Sequence, residues 1–95
     1  MNIVLRHRAL RVEDRDDFGD LRVWSDVSPE QLDIKIRTHE AGFVDGDVAY
    51  IKAHWLRDLH TGLAWSVGMA DLLSFVEAIG RFDGVYVSAR IGRPQ

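Results

Sequence analysis

The amino-acid sequence predicts an α+β domain: an antiparallel β-meander of about five or six strands, with one helix from the C-terminal half of the chain packed on one face. Three observations carry that prediction. Two stretches of alternating apolar residues flank Asp45-Gly46, the dipeptide that most strongly marks a tight hairpin. Leu72, Phe75, Val76 and Ile79 recur at helical spacing. After a second turn signal, Asp83-Gly84, the residues Val85, Val87, Ala89 and Ile91 alternate with Tyr86, Ser88 and Arg90.

The elements follow in chain order. Ile3 and Leu5 alternate in one phase and Leu10 and Val12 in the other, so a first strand is expected to bulge or bend near Arg8 and Ala9. Asp14-Arg15-Asp16-Asp17 is a polar turn, after which Leu21 and Val23 alternate with Arg22 and Trp24 in a second strand ending near Asp26. Ser28-Pro29-Glu30-Gln31 matches a capping box with proline at the first helical position, enough for a single helical turn. The strict alternation of Leu32-Asp33-Ile34-Lys35-Ile36-Arg37 then predicts a third strand.

With Asp45 and Gly46 as the two loop residues, Ile36 faces Trp55, Thr38 faces Ala53 and Leu32 faces Leu59, and the apolar faces come into register. The stretch Asp47 to Leu59 also supports a rival reading, because Val48, Ile51, Trp55 and Leu59 fit a helical stripe that Gly62 would end. Leu63 to Val67 reads as another short strand. The helix is expected from about Ala70 to Phe82, with Asp71 near its start and Arg81 near its end to suit the dipole. The chain then finishes as a strand.

Composition sets the outer limits. Ninety-five residues, 46% of them hydrophobic and 28% charged, fit a single α+β domain over 1–95 rather than a disordered chain. Cysteine is absent, which excludes disulfides, a thiolate nucleophile and cysteine-based zinc sites. The net charge of −3 offers no general attraction to nucleic acid or to an anionic membrane, so neither is an expected partner. Arg6 and Arg8 interrupt the N-terminal apolar run, and the expected location is the cytoplasm.

The sequence holds no glycine-rich phosphate loop, nucleophile elbow or zinc helix, and no catalytic residue, metal ligand or cofactor is assigned. In the predicted hairpin His39 and His54 share a polar face and could form an acid–base pair, but a face that also carries Lys35, Arg37 and Lys52 reads more simply as solvated. The candidate partner-binding residues are Asp14, Asp16, Asp17 and Asp20, whose carboxylates would steer a basic surface, together with Trp24, which sits opposite Leu21 and Val23 and would be free to anchor a contact. The same acidic run does not supply the ligand spacing of a calcium loop.

His54-Trp55-Leu56, then Ala64-Trp65-Ser66 after Gly62, then Ala70-Asp71-Leu72-Leu73-Ser74-Phe75 resemble small bacterial immunity proteins of the WapI-immunity type. The resemblance spans about a third of the chain and falls mostly on packing positions. It implies a Trp-Leu strand, a Trp-bearing strand and an acidic-start helix, in a cytoplasmic protein that binds and blocks a cognate toxin or effector domain. The expected function is therefore a small non-enzymatic inhibitor that works by direct binding. A phage anti-defence inhibitor, a homo-oligomeric structural subunit (a homodimer among them) and a small histidine-dependent enzyme are the alternatives.

Overall fold

The computed structural model of the protein describes residues 1–93. Six strands make one sheet: β1 (Asn2–Arg6), β2 (Ala9–Glu13), β3 (Arg22–Ser25), β4 (Gly42–Asp45), β5 (Val48–Lys52) and β6 (Tyr86–Gly92), in the spatial order β2-β1-β3-β6-β5-β4. Three helices, α1 (Pro29–Thr38), α2 (Ala53–Arg57) and α3 (Leu63–Ala78), complete the described chain. The α+β class is as expected. The antiparallel meander with a single helix is not, because β3 runs parallel to both β1 and β6.

The first parallel pairing needs no helix. The predicted bulge at Arg8 is a hairpin: β1 and β2 pair antiparallel from Asn2 with Glu13 to Arg6 with Ala9, across the two-residue loop His7-Arg8. That return brings the chain back to the start of β1, where the acidic segment passes beneath the sheet end and β3 sets out alongside β1. His7 and Arg8 have φ of 53° and 65°. A tight turn that follows the twist of the strands requires left-handed backbone at both positions, and non-glycine residues there cost on the order of 1 kcal/mol each. Asp26 helps to hold the turn, its carboxylate accepting the His7 N–H at 3.1 Å.

The expected third strand is helix α1. Leu32 and Ile36 are four residues apart, so an alternating run also lays one stripe along a helix; both are buried, while Ile34 is 65% exposed. Local chemistry decides between the two periods. The Ser28 hydroxyl accepts the Gln31 N–H at 3.3 Å, Pro29 occupies the first turn, and Asp33 pairs with Arg37 at 2.9 Å along the helix.

The hairpin stands at the predicted place, but its register is two residues later. Gly46 and Asp47 form the loop, so Phe43 faces Tyr50 and Gly42 faces Ile51, and the pairings of Ile36, Thr38 and Leu32 with Trp55, Ala53 and Leu59 do not occur. A shift of two preserves the facing of every strand residue. Gly42 cannot be replaced without movement: its φ is 148°, and a Cβ there would sit 1.8 Å from the Tyr50 carbonyl oxygen. Both readings of Asp47 to Leu59 contribute, since β5 ends at Lys52 and α2 begins at Ala53. The strand expected at Leu63 to Val67 is the first part of α3, which starts before Ala70 and ends at Ala78. Asp71 therefore lies mid-helix, and Arg81 lies beyond the helix end.

All three helices pack on one face of the sheet. Ile3, Val23, Ile51 and Val87 from the strands meet Leu32 and Ile36 of α1, Leu56 of α2, and Met69, Leu72 and Val76 of α3 in one buried cluster. Burying each such side chain contributes about 1.5–3 kcal/mol. The opposite face of the sheet carries no helix. No helix among the described residues is long and apolar enough to cross a membrane.

Candidate binding groove

The acidic segment predicted as a binding patch is largely committed to holding its own loop. Asp20 is the clearest case. Its Oδ1 accepts the Leu21 N–H at 2.7 Å and pairs with the Arg81 guanidinium at 2.8 Å. The same guanidinium donates to the carbonyls of Leu21 and Ser88, both at 2.8 Å, so Arg81 ties the loop to β6. Asp17 accepts the Gly19 N–H at 3.0 Å, and its carbonyl accepts from the Met1 amino group at 2.7 Å. Asp14 adopts φ 53° and its carboxylate accepts from the Asn2 amide at 2.8 Å. Asp16 alone of the four makes no hydrogen bond among the described residues, and it faces a groove.

That groove, about 560 Å³, opens between the acidic loop and the start of α3, with Arg15, Asp16 and Phe18 on one side and His60, Leu63 and Trp65 on the other. The Phe18 and Trp65 rings meet edge to face, their centroids 5.3 Å apart. Phe18 is seated by Gly68 of α3, where a Cβ would come within 2.5 Å of three ring atoms. The Trp65 indole N–H donates to the Arg57 carbonyl at 3.1 Å, which locks the ring and ties α3 to the end of α2. The His60 ring lies 5.8 Å from Trp65, and its Nδ1 accepts the Thr61 N–H at 2.7 Å.

The groove runs on into the outer surface of α3. Leu63 is 80% exposed, and Val67, Phe75 and Ile79 are each about half exposed. Among the sixteen residues of this helix only Asp71 and Glu77 are charged, an unusual poverty for a helix with one face in solvent. Leu63, Val67, Phe75 and Ile79 share one i, i+4 row of the helix surface, interrupted by Asp71 between Val67 and Phe75, and clustered exposed apolar side chains are characteristic of interaction sites. Cutting the segment into a strand and a later helix hid this feature from the sequence reading. The composition of the continuous run Leu63 to Ala78 was the signal that could have disclosed it.

Trp24 stands apart from the groove. It projects from the uncovered face of the sheet, half-buried, with Val4 and Gly92 as its register neighbours. Of the predicted partner-binding residues, Asp16 lines the groove and Trp24 does not. His39 and His54 do not share the strand face on which the hairpin register would set them. His39 caps the end of α1, whereas His54 lies in α2 and pairs with Asp58 at 3.2 Å in full solvent. Trp55 is half-buried against the core, but from helix α2 rather than from the strand expected there. Family models, curated proteins and solved structures, each searched with this chain, return no match.

Proposed function

We propose that the protein is a small non-enzymatic binding module that inhibits a partner protein by direct contact, as the immunity proteins it resembles do with a toxin or effector domain. The observation that carries this reading is the Phe18–Trp65 groove continuing into the apolar outer surface of α3. A rigid aromatic wall beside exposed aliphatic side chains suits an apolar anchor residue from the partner, and the adjacent Arg15 and Asp16 on the rim suit a polar, mixed-charge surround in which Asp16 meets a basic group. Trp24 has no part in this contact. The carboxylates act as a steering field rather than as the anchor, because Asp17 and Asp20 already have partners within the loop.

Affinity capture from a lysate of the source organism tests the reading, comparing the wild type with Leu63→Asp and with an Asp14→Ser, Asp16→Ser double variant. The expected outcome is one stoichiometric protein, lost with Leu63→Asp and weakened with the double variant, most visibly at low salt. Re-made in pure form, that protein should bind with the same ranking. Equal capture by all three forms would remove the groove from the interface. If the purified wild type instead self-associates and Leu63→Asp does not, the exposed side of α3 is a contact between copies and the subunit reading replaces the inhibitor.

A further inference from the structure

The uncovered face of the sheet has a charge pattern unlike the rest of the chain, and from it we infer that this face binds single-stranded nucleic acid along one diagonal. The inference does not depend on the groove, which lies elsewhere. At one corner three aromatic rings converge. Phe43 stacks on Tyr50 with centroids 4.9 Å apart and an interplanar angle of 16°, and Tyr86 meets Phe43 edge-on at 5.1 Å. The Arg37 guanidinium lies 5.7 Å from the Phe43 ring centre, and Lys52 is the register partner of Tyr86. Further along, the parallel pairing of β3 with β6 sets Arg22 beside Arg90, both exposed. Next comes Trp24, its ring laid against Gly92 so closely that a Cβ there would be 2.5 Å from Cε3. Arg6 and Arg11 follow on β1 and β2, around a concavity of about 360 Å³ that also reaches His7 in the strained turn.

Acids are outnumbered on this line rather than absent from it: Glu13 shares the concavity with Arg6 and Arg11, and Asp33 pairs with Arg37. The segment Asp14 to Asp20 borders a second corner, where Asp14 bonds Asn2, and Asp45 and Asp47 occupy the opposite corner at the hairpin loop. Among the described residues Arg6, Arg11, Arg22 and Lys52 take part in no ion pair, and Arg90 has only the exposed Asp47 at 3.3 Å. The cationic diagonal therefore runs between two acidic corners. With strands about 4.8 Å apart and about 3.3 Å per residue, it is roughly 30 Å long. That suits a few nucleotides, near the lower end of the roughly 4 to 16 that one OB fold engages. Stacking on the rings needs unpaired bases, so the ligand is single-stranded. Charges at the acidic corners act over only about 8–10 Å at physiological salt, which is why a net charge of −3 does not forbid the contact.

The test is fluorescence anisotropy of a labelled oligothymidylate of about ten nucleotides with the whole chain, starting at low salt. Saturable one-to-one binding is expected, its log affinity falling with log salt by about 0.7 for each phosphate neutralised. Arg22→Ala with Arg90→Ala should weaken binding about tenfold or more and flatten that slope. Tyr86→Leu should weaken it severalfold without altering the slope, while Tyr86→Phe, which keeps the ring, should bind as the wild type does. Leu63→Asp should have no effect. No binding at low salt, or binding indifferent to both the arginine and the tyrosine substitutions, overturns the inference. So does equal competition by duplex DNA or by polyglutamate matched for charge, which would mark a general polyanion surface. None of these outcomes bears on capture of a protein partner by the groove.

Discussion

The two faces of the one sheet use the same strands for opposite ends. On the covered face Ala49, Ile51, Val87 and Ala89 are buried under helices. On the other, their chain neighbours Tyr50, Ser88 and Arg90 stand in or near solvent, with the aromatic rings packed chiefly on one another. Stability is concentrated on the first face, which leaves the second free to vary in chemistry. The acidic loop offers a further contrast with the open face. It holds a dense set of charges whose geometry is largely satisfied internally, whereas among the described residues Arg6, Arg11, Arg22 and Lys52 of the open face take part in no ion pair.

The sharpest test of the contrast compares adjacent residues. Ile51→Ala should cost about 3–4 kcal/mol in urea unfolding, through lost burial and a cavity, while Tyr50→Ala should cost about 1 kcal/mol. Equal losses would mean that the open face carries structural load and would break the comparison. Arg81→Ala should come next, at about 2 kcal/mol, because it strips Asp20, the Leu21 carbonyl and the Ser88 carbonyl of a shared donor. A calorimetric melt would show it. Asp16→Ser, in the same loop, should stay within about 0.5 kcal/mol, since the side chain has no partner to lose.

Gly68→Ala separates packing from propensity. Alanine favours a helix over glycine by about 1 kcal/mol, but its Cβ collides with the Phe18 ring. Expulsion of that ring should leave the variant about 1 kcal/mol less stable and change the near-ultraviolet circular dichroism of Trp65. A gain in stability would show that Phe18 moves aside freely.

The smallest effect concerns pH. Asp83 accepts the N–H groups of Tyr86 at 2.7 Å and Val85 at 2.8 Å, and these bonds, that from Tyr86 foremost, hold its carboxyl below the usual carboxylate range. A carboxyl depressed on folding stabilises the protein above its unfolded pKa and loses that contribution as pH falls through the folded value. Asp83→Asn should therefore lower the neutral-pH midpoint slightly, where the ionised carboxylate contributes, and shrink the further loss of stability on acidification below the ordinary carboxylate range. Urea midpoints at neutral and acidic pH would reveal the difference.

How much of this was legible beforehand can be argued residue by residue. Ser28-Pro29 was read correctly as a cap, yet the alternation of Leu32, Ile34 and Ile36 outweighed it, because positions four apart satisfy both periods. Asp83-Gly84 and the alternation after it placed β6, since a turn signal followed by a two-residue period admits few alternatives. The hairpin at Gly46 was placed but its register was not, as a shift of two leaves every face unchanged and hydrophobic pattern cannot detect it. The groove was invisible because Phe18 and Trp65 lie far apart in sequence and only folding brings their rings within 5.3 Å.

The sequence by itself determined the α+β class, the turns and the facing of most strand residues, because these depend on neighbours within a few positions along the chain. It also determined the total charge. The tertiary structure alone decided the strand order, the parallel neighbours of β3, and the distribution of that charge into a tied acidic loop and a cationic diagonal. Those features depend on which distant segments lie side by side, and a sum over residues carries no information about where in space its terms fall.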